Sequence, residues 1–285
     1  MDLCVVIPAR NEERLLGHQL EALADQQWDK AWEVIVVDNG STDSTAAIVE
    51  TFASEFGRVR LVRATEKADK AYAIATAVEA TDADALVICD ADDIVAPGWL
   101  AAIGDALSTN AVVTGPNELD RLNPRWLAES RGRSIEEPVG SFSGIFPCIR
   151  GNNFGLQRSV LEKIGPLLSE GFFPVEDIEF SYRCAKAGIP IVGVPGAVVH
   201  YRYRSAARTL WRQGWAYGSG RPHIARLLRD DGRQVPRFGG WRSWAMLLVR
   251  LPKVVTPAGR AEWSWIAGNR FGQVAGSVRH RTLMV

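Results

Sequence analysis

A chain of 285 residues, 47% hydrophobic and 23% charged, can bury a full core, which excludes a disordered or low-complexity protein. Its formal net charge is zero, yet residues 1–199 hold 17 Lys and Arg against 30 Asp and Glu, whereas residues 200–285 hold 16 against 3; an acidic body is joined to a basic C-terminal part. Cys4, Cys89, Cys148 and Cys184 have no C-x-x-C spacing, which argues against a disulfide framework or a zinc knuckle and predicts buried thiols in a reducing, cytoplasmic setting.

Residues 3–8 form a continuous apolar run, with no basic n-region or apolar h-region before it, so no signal peptide is expected. Asn11 and the glutamates after it suit a helix start, and Leu16, Leu20 and Leu23 recur at helical spacing. The pattern repeats. A strand over 34–37 precedes a helix opening at Ser41 to Ser44, a strand over 59–62 precedes the Ala-rich stretch 70–80, and a strand follows over 85–89. Short, fully apolar strands alternating with helices predict an α/β fold with a mostly parallel sheet covered on both faces, whose ligands bind beyond the carboxyl ends of the strands.

Residues 116–147 read as a loop-rich region punctuated by Pro116, Pro124, Pro138 and Pro147. A helix is predicted from Glu176 to about Ala187, followed by two short strands reaching His200. The domain edge is placed there, giving a first domain over 1–200 and a mainly helical, basic extension over 201–285. The apolar run from Trp244 to Leu251 contains Arg250 and is far shorter than the roughly 20 residues that span a bilayer.

Polar residues cluster just after the predicted strands. Asp90, Asp92 and Asp93 crowd three carboxylates whose repulsion is costly unless a cation or protons neutralise it, and such oxygen ligands suit Mg²⁺ or Mn²⁺ carrying substrate phosphates. The same residues also read as a solvated turn before Pro97. Asp38 lies where a nucleotide base would sit, and equally begins a good Asp-Asn-Gly turn. Glu176 and Asp177 open a helix, where ionised carboxylates are favoured; one could be a general base, or both could be ordinary N-terminal charge. His200, at a strand end, is either a metal or phosphate ligand or a structural histidine.

The ordered segments Val5-Val6-Ile7-Pro8-Ala9-Arg10-Asn11-Glu12, Val36-Val37-Asp38-Asn39-Gly40-Ser41-Thr42-Asp43, Asp90-Ala91-Asp92-Asp93 and Glu176-Asp177 resemble family 2 glycosyltransferases over about two thirds of the chain. The resemblance implies a GT-A fold and a metal-dependent transfer that inverts the anomeric carbon, with a UDP-sugar as the favoured donor. It implies that Pro8, Ala9, Arg10, Asn11, Glu12 and Asp38 contact the nucleoside, with Lys70 near the nucleotide. Asp90 and its neighbour Ala91 would meet the donor ribose or sugar, and Asp92 and His200 the metal. Gly151, Asn152 and Asn153 would form the sugar-side wall, Glu176 would contact acceptor or donor sugar, and Asp177 would take the acceptor proton. Two departures stand out: Asp69, where relatives often have glycine, precedes Lys70, and Trp211-Arg212-Gln213-Gly214-Trp215 does not match the Gln-x-x-Arg-Trp signature of processive members, so a single addition is expected.

The extension interleaves Arg202, Arg204, Arg208, Arg212, Arg221, Arg226, Arg229, Arg233 and Arg237 with Trp211, Trp215, Trp241 and Trp244. One reading is peripheral contact with the anionic inner face of the cell membrane, near a carbohydrate or lipid-linked envelope acceptor. The other is that the aromatics pack on the protein or between two copies in a homodimer while the arginines are solvated. No nucleic-acid-binding motif accompanies the charge. A sugar nucleotidyltransferase would show a Gly-rich phosphate loop after the first strand, and an oxidoreductase a G-x-G-x-x-G; neither is present, while a non-catalytic nucleotide-binding or scaffold protein would keep the Asp90 cluster and need no base.

Overall fold

The computed structural model describes residues 1–130, 134–167, 169, 171–172, 174–235 and 240–284. Arg237, counted above in the basic set, lies outside the described residues. The chain begins with β1 (Leu3–Ala9), α1 (Leu16–Ala24), β2 (Trp32–Asp38), α2 (Thr45–Glu55), β3 (Val59–Arg63), α3 (Lys70–Glu79) and β4 (Ala85–Cys89). Next come β5 (Ile94–Val95), α4 (Trp99–Leu107), β6 (Val112–Thr114), β7 (Asn117–Glu118) and α5 (Arg125–Ser130). A hairpin of β8 (Gly140–Phe142) and β9 (Phe146–Cys148) leads to β10 (Asn153–Gln157), α6 (Ser159–Ile164), α7 (Glu176–Lys186), β11 (Ile191–Gly193) and β12 (Val199–His200). The chain ends with α8 (Ala207–Asp230), α9 (Trp241–Arg250), a 3-10 turn at Leu251–Val255 and α10 (Pro257–Arg279).

Cα proximity separates two compact units, the first formed by Met1–Arg121, Ile135–Glu170 and Phe180–Arg202, the second by Leu122–Ser134, Gly171–Glu179 and Tyr203–Val285. The central sheet of the first has the order β11-β6-β10-β4-β1-β2-β3. All of its pairs are parallel except those of β10, which runs antiparallel to both β4 and β6. The apolar runs are continuous because both faces are covered. Leu3, Val5 and Ile7 of β1 and Val34 and Val36 of β2 face a core with α1 and α4, while Cys4, Val6, Ile35 and Val37 face a second core with α3, α6 and α7. Fully burying such a side chain contributes roughly 1.5–3 kcal/mol, so the alternation fixes the register. All four cysteines are buried, and burial pushes the Cys4 thiol up to about 12.

One local expectation is corrected. Asn11 does not start a helix: it takes a left-handed conformation (φ 57°), and α1 begins only at Leu16. Its side chain instead accepts a hydrogen bond from Thr42 N at 2.8 Å, tying the loop after β1 to the loop after β2. In the Ser41 to Ser44 segment Ser44 makes no side-chain cap, but Asp43 Oδ1 accepts from Thr45 N, the first residue of α2, at 3.0 Å.

The second unit is built on α8 and α10, which run side by side in the same direction. A Cβ at Gly268, Gly272 or Gly276 would collide with the backbone of Trp211, Trp215 or Ser219, and one at Gly214 or Gly218 with the α10 backbone. Glycines four residues apart therefore let the two helices meet backbone to backbone, as in small-residue packing of membrane helices. Pro222 inside α8 removes one helical N–H donor. No helix among the described residues is long and apolar enough to cross a membrane.

Candidate active site

The β4 strand ends at Cys89; Asp90 follows it, and the next three residues turn the chain into β5. The side chains of Asp90, Asp92 and Asp93 offer carboxylate oxygens within 4.8 Å of one another. The turn is held from beneath by Gln19 of α1, a fully buried amide that donates to the Asp90 carbonyl (3.3 Å) and accepts from Val95 N (2.9 Å). Asp93 is buried and takes two donors: Arg202 N on Oδ1 at 2.8 Å and Asn152 Nδ2 on Oδ2 at 2.7 Å. Burial first, then the neighbouring Asp92 and Asp90, pushes its carboxyl well above the usual range, while those two donors pull it down. Asp90 and Asp92 remain half-exposed. Three hard oxygen donors whose mutual repulsion already raises one of them fit a divalent cation of the Mg²⁺ or Mn²⁺ kind.

Lys70, the first residue of α3, places Nζ 2.5 Å from Asp90 Oδ1 and 3.5 Å from the Gly151 carbonyl. Asp69 explains itself locally: it is the N-cap of α3, its Oδ1 accepting from Tyr72 N at 2.9 Å, so an acid here organises the helix that presents Lys70. Arg202 closes the other side, its Nε donating to the Asp92 carbonyl at 3.1 Å. Two cations thus flank the carboxylates.

Pro8 and Ala9 end β1, with Ala9 in register with Asp38 of β2. Arg10 and Asn11 are exposed, and Glu12 N donates to Thr45 Oγ1 at 2.8 Å. Asp38 is buried; Oδ1 accepts from Ser41 N (2.9 Å) and Oδ2 lies 3.9 Å from Arg63 Nη1, so it supports the turn and carries a cationic neighbour. Asn39, read from the sequence only as part of a turn, donates to the Ala64 and Lys67 carbonyls, each at 2.6 Å, and pins the loop leading to α3.

Asn152 braces Asp93 and Asn117, while Asn153 is fully buried. Every polar side-chain atom of Asn153 is engaged: Oδ1 accepts from Trp99 Nε1, and Nδ2 donates to the Pro116 and Ala197 carbonyls. A side chain spent on internal bonds has none to offer a ligand, which argues against the sugar-side role expected of Asn153. His200 stands outside the three-carboxylate group. Its Nε2 lies 3.0 Å from Arg121 Nη1, a group that can only donate, and its Nδ1 lies 2.6 Å from Glu118 Oε2.

Glu176 and Asp177 form the first turn of α7, in the segment that groups with the helical unit. Asp177 Oδ1 accepts from Ile178 N at 2.8 Å, where the helix N-terminus favours the ionised form. Within that unit the preceding loop is anchored by Phe172, stacked on His223 with ring centroids 4.1 Å apart, and by Val175, packed against Gly220.

Sequence reasoning overlooked Gln19 and assigned Arg202 to the basic extension. Gln19 betrays itself as a polar residue in the Leu16, Leu20, Leu23 stripe; Arg202 carries no sequence signal, since its place beside Asp92 depends on β12 pairing with β5.

The description "Glycosyl transferase family 2" matches residues 4–165, and "Glycosyl transferase family group 2" matches residues 85–266. The probable glycosyltransferase YdaM of Bacillus subtilis is 26% identical over 75% of this chain and 54% of its own length. Glycosyltransferase AglE of Haloferax volcanii is 25% identical over 87% of this chain and 81% of its own. The chain spans about half the length of the first curated relatives it matches. Among solved structures, the mannosyltransferase PcManGT from Pyrobaculum calidifontis, in complex with GDP-Man and Mn2+, superposes with a TM-score of 0.66 at 21% identity, covering 98% of this chain and 86% of that one, which shows a shared GT-A fold. With more than half its length matched and the Asp90 cluster at the end of β4, the chain belongs to glycosyl transferase family 2.

Proposed function

We propose that the protein is an inverting, metal-dependent glycosyltransferase that moves one sugar from a nucleotide-diphosphate sugar, a UDP-sugar being favoured, to a carbohydrate or lipid-linked envelope acceptor. The observation that carries this reading is the carboxylate group of Asp90, Asp92 and Asp93 flanked by Lys70 and Arg202. Asp92, with Asp90 beside it, would hold Mn²⁺ or Mg²⁺, which when bound supplies charge neutralisation for a diphosphate leaving group. His200 would join it only by exchanging its contact with Arg121.

Pro8, Ala9, Arg10, Asn11, Glu12 and Asp38 border the nucleoside; Asp90 and Ala91 meet the ribose or sugar, and Gly151 and Asn152 wall the sugar side. Lys70 and Arg202 stabilise the departing diphosphate. Glu176 contacts the acceptor. Asp177 takes the proton of the acceptor hydroxyl as that oxygen bonds to the anomeric carbon and the carbon–oxygen bond to the diphosphate breaks, so one displacement inverts the centre and needs no enzyme-bound sugar. The basic helical unit makes peripheral contact with an anionic membrane face and keeps the site near such an acceptor.

The test is a thermal-shift panel of UDP-, GDP- and dTDP-sugars with and without Mn²⁺ or Mg²⁺, since a ligand that binds only the native state raises apparent stability. GDP-sugars belong in it because the neighbour from Pyrobaculum calidifontis was solved with GDP-Man and Mn2+. Metal-dependent stabilisation by one nucleotide class, followed by sugar transfer from it, is expected; no response to any of them overturns the reading.

A further inference from the structure

Large apolar side chains are not evenly distributed over the surface. Of the twelve that are exposed among the described residues, ten belong to the helical unit: Met1 and Ile135 are the exceptions. Five of the ten fall in one short stretch of α9 and the 3-10 turn: Trp241 is 64% exposed, Leu248 77%, Val249 76%, Leu251 56% and Val255 81%.

The stretch is asymmetric. Leu247 is buried, its carbonyl accepting from Trp263 Nε1 at 3.1 Å, and Trp244 meets Phe271 edge-on with ring centroids 5.3 Å apart, so one side of α9 docks on α10. Trp241, Ala245 and Leu248 follow at i, i+4 and i+7, with Val249 beside them, so they share a different face, and all four are exposed. Exposed Arg242 lies over the Trp241 ring at 5.6 Å, exposed Lys253 sits in the 3-10 turn, and exposed Arg260 donates to the Val255 carbonyl at 3.4 Å, while Arg250 is paired with Glu262. Residues 232–261 contain six Lys and Arg and no Asp or Glu.

We infer that the apolar face of α9 and the following turn is a membrane-docking element that inserts its large side chains at the acyl boundary of an anionic lipid surface while Arg242, Lys253 and Arg260 lie among the headgroups. Charge selects this occupant. A second copy of the chain would bring the same cations against themselves across a two-fold contact, and like charges facing each other are repulsive. Anionic lipid satisfies both features at once: hydrocarbon for the apolar face, and phosphate for cations whose long stems reach outward. The α8–α10 pair behind it provides a stiff backing, since its helices touch through glycine. This deepens the peripheral membrane contact proposed above and rests on it, while standing apart from the donor chemistry.

The experiment is flotation of the full chain with phosphatidylcholine vesicles with and without phosphatidylglycerol, comparing wild type, Leu248→Glu/Val249→Glu, Arg242→Gln/Lys253→Gln and, as a control outside the face, Leu283→Glu. Wild type and Leu283→Glu are expected to float only with phosphatidylglycerol. The apolar pair variant should lose at least about tenfold in affinity, and the basic pair variant should bind more weakly with a smaller dependence on salt. The inference is overturned if wild type stays unbound, if Leu248→Glu/Val249→Glu binds like wild type, if Leu283→Glu loses as much, or if the apolar pair variant converts a dimer to a monomer by size exclusion. Every variant is also tested for metal-dependent stabilisation by donor. If that stabilisation persists in all of them without flotation, only the membrane element fails; if flotation persists without it, only the transferase reading fails.

Discussion

In the sheet-containing unit, β1, β2 and β4 send alternate side chains into two apolar cores, and three carboxylates gather just after β4. In the helical unit, α8 and α10 touch through glycine and large apolar side chains face outward. The first arrangement hides hydrophobic surface and concentrates charge at one edge, as a site for a small charged ligand requires. The second achieves tight contact with small residues, which leaves bulky apolar side chains for something other than the core. On the proposed reading, the contrast separates a scaffold that holds a ligand from one that meets a surface.

The largest effect that would break this division comes from Asp177→Asn. It is expected to lower sugar transfer at least about 100-fold, the usual scale of general-base catalysis, and to leave metal-dependent donor stabilisation unchanged. Initial rates and thermal shift separate the two; a strong loss of donor stabilisation would move Asp177 from proton transfer to binding. Next in size is Gly272→Ala. In an ordinary helix interior this change stabilises by about 1 kcal/mol, but here the added methyl would meet the Trp215 backbone and is expected to destabilise by about 1–3 kcal/mol. Denaturant unfolding decides it: a gain in stability would mean that α8 and α10 do not meet as closely as described.

The smallest effect sharpens the comparison by pH. His223 is held below the ordinary histidine value by burial and then Arg226, against the pull of Glu179; His280 is held down by burial, then His223, Arg279 and Arg226. The two rings stack with centroids 4.4 Å apart. Because the folded values are depressed, the unfolded chain takes protons first as pH falls. The stability these neutral rings contribute is whole above about 6.5 and is lost as pH falls below it toward the depressed values. Thermal midpoints from pH about 7.5 to about 5 should decline, and His280→Phe, which keeps an aromatic ring in the stack, should flatten that decline. An unchanged slope in this variant would detach the pH response from the ring pair.

How much was legible depends on the range of the physics. The strand over 85–89 and the carboxylates after it were readable because burial on both faces demands a continuous apolar run and chemistry collects at strand ends. Asn11 misled because its polar side chain and following acids imitate a helix start, while the partner that claims it, Thr42, is 31 residues away. Asp69 looked like a departure from the family and proved to be a local helix cap, which the Tyr72 amide reveals only in three dimensions.

By itself, then, the sequence determined the alternation of strands and helices, the acidic cluster after β4, the basic character of the last 86 residues and the family, because each depends on composition and short-range periodicity. Tertiary structure alone decided the antiparallel insertion of β10, the engagement of every polar side-chain atom of Asn153, the arrival of Arg202 beside Asp92 and the outward face of α9. Each of these turns on pairings between residues distant in sequence, where hydrogen-bond satisfaction and close packing, rather than local preference, select the partner.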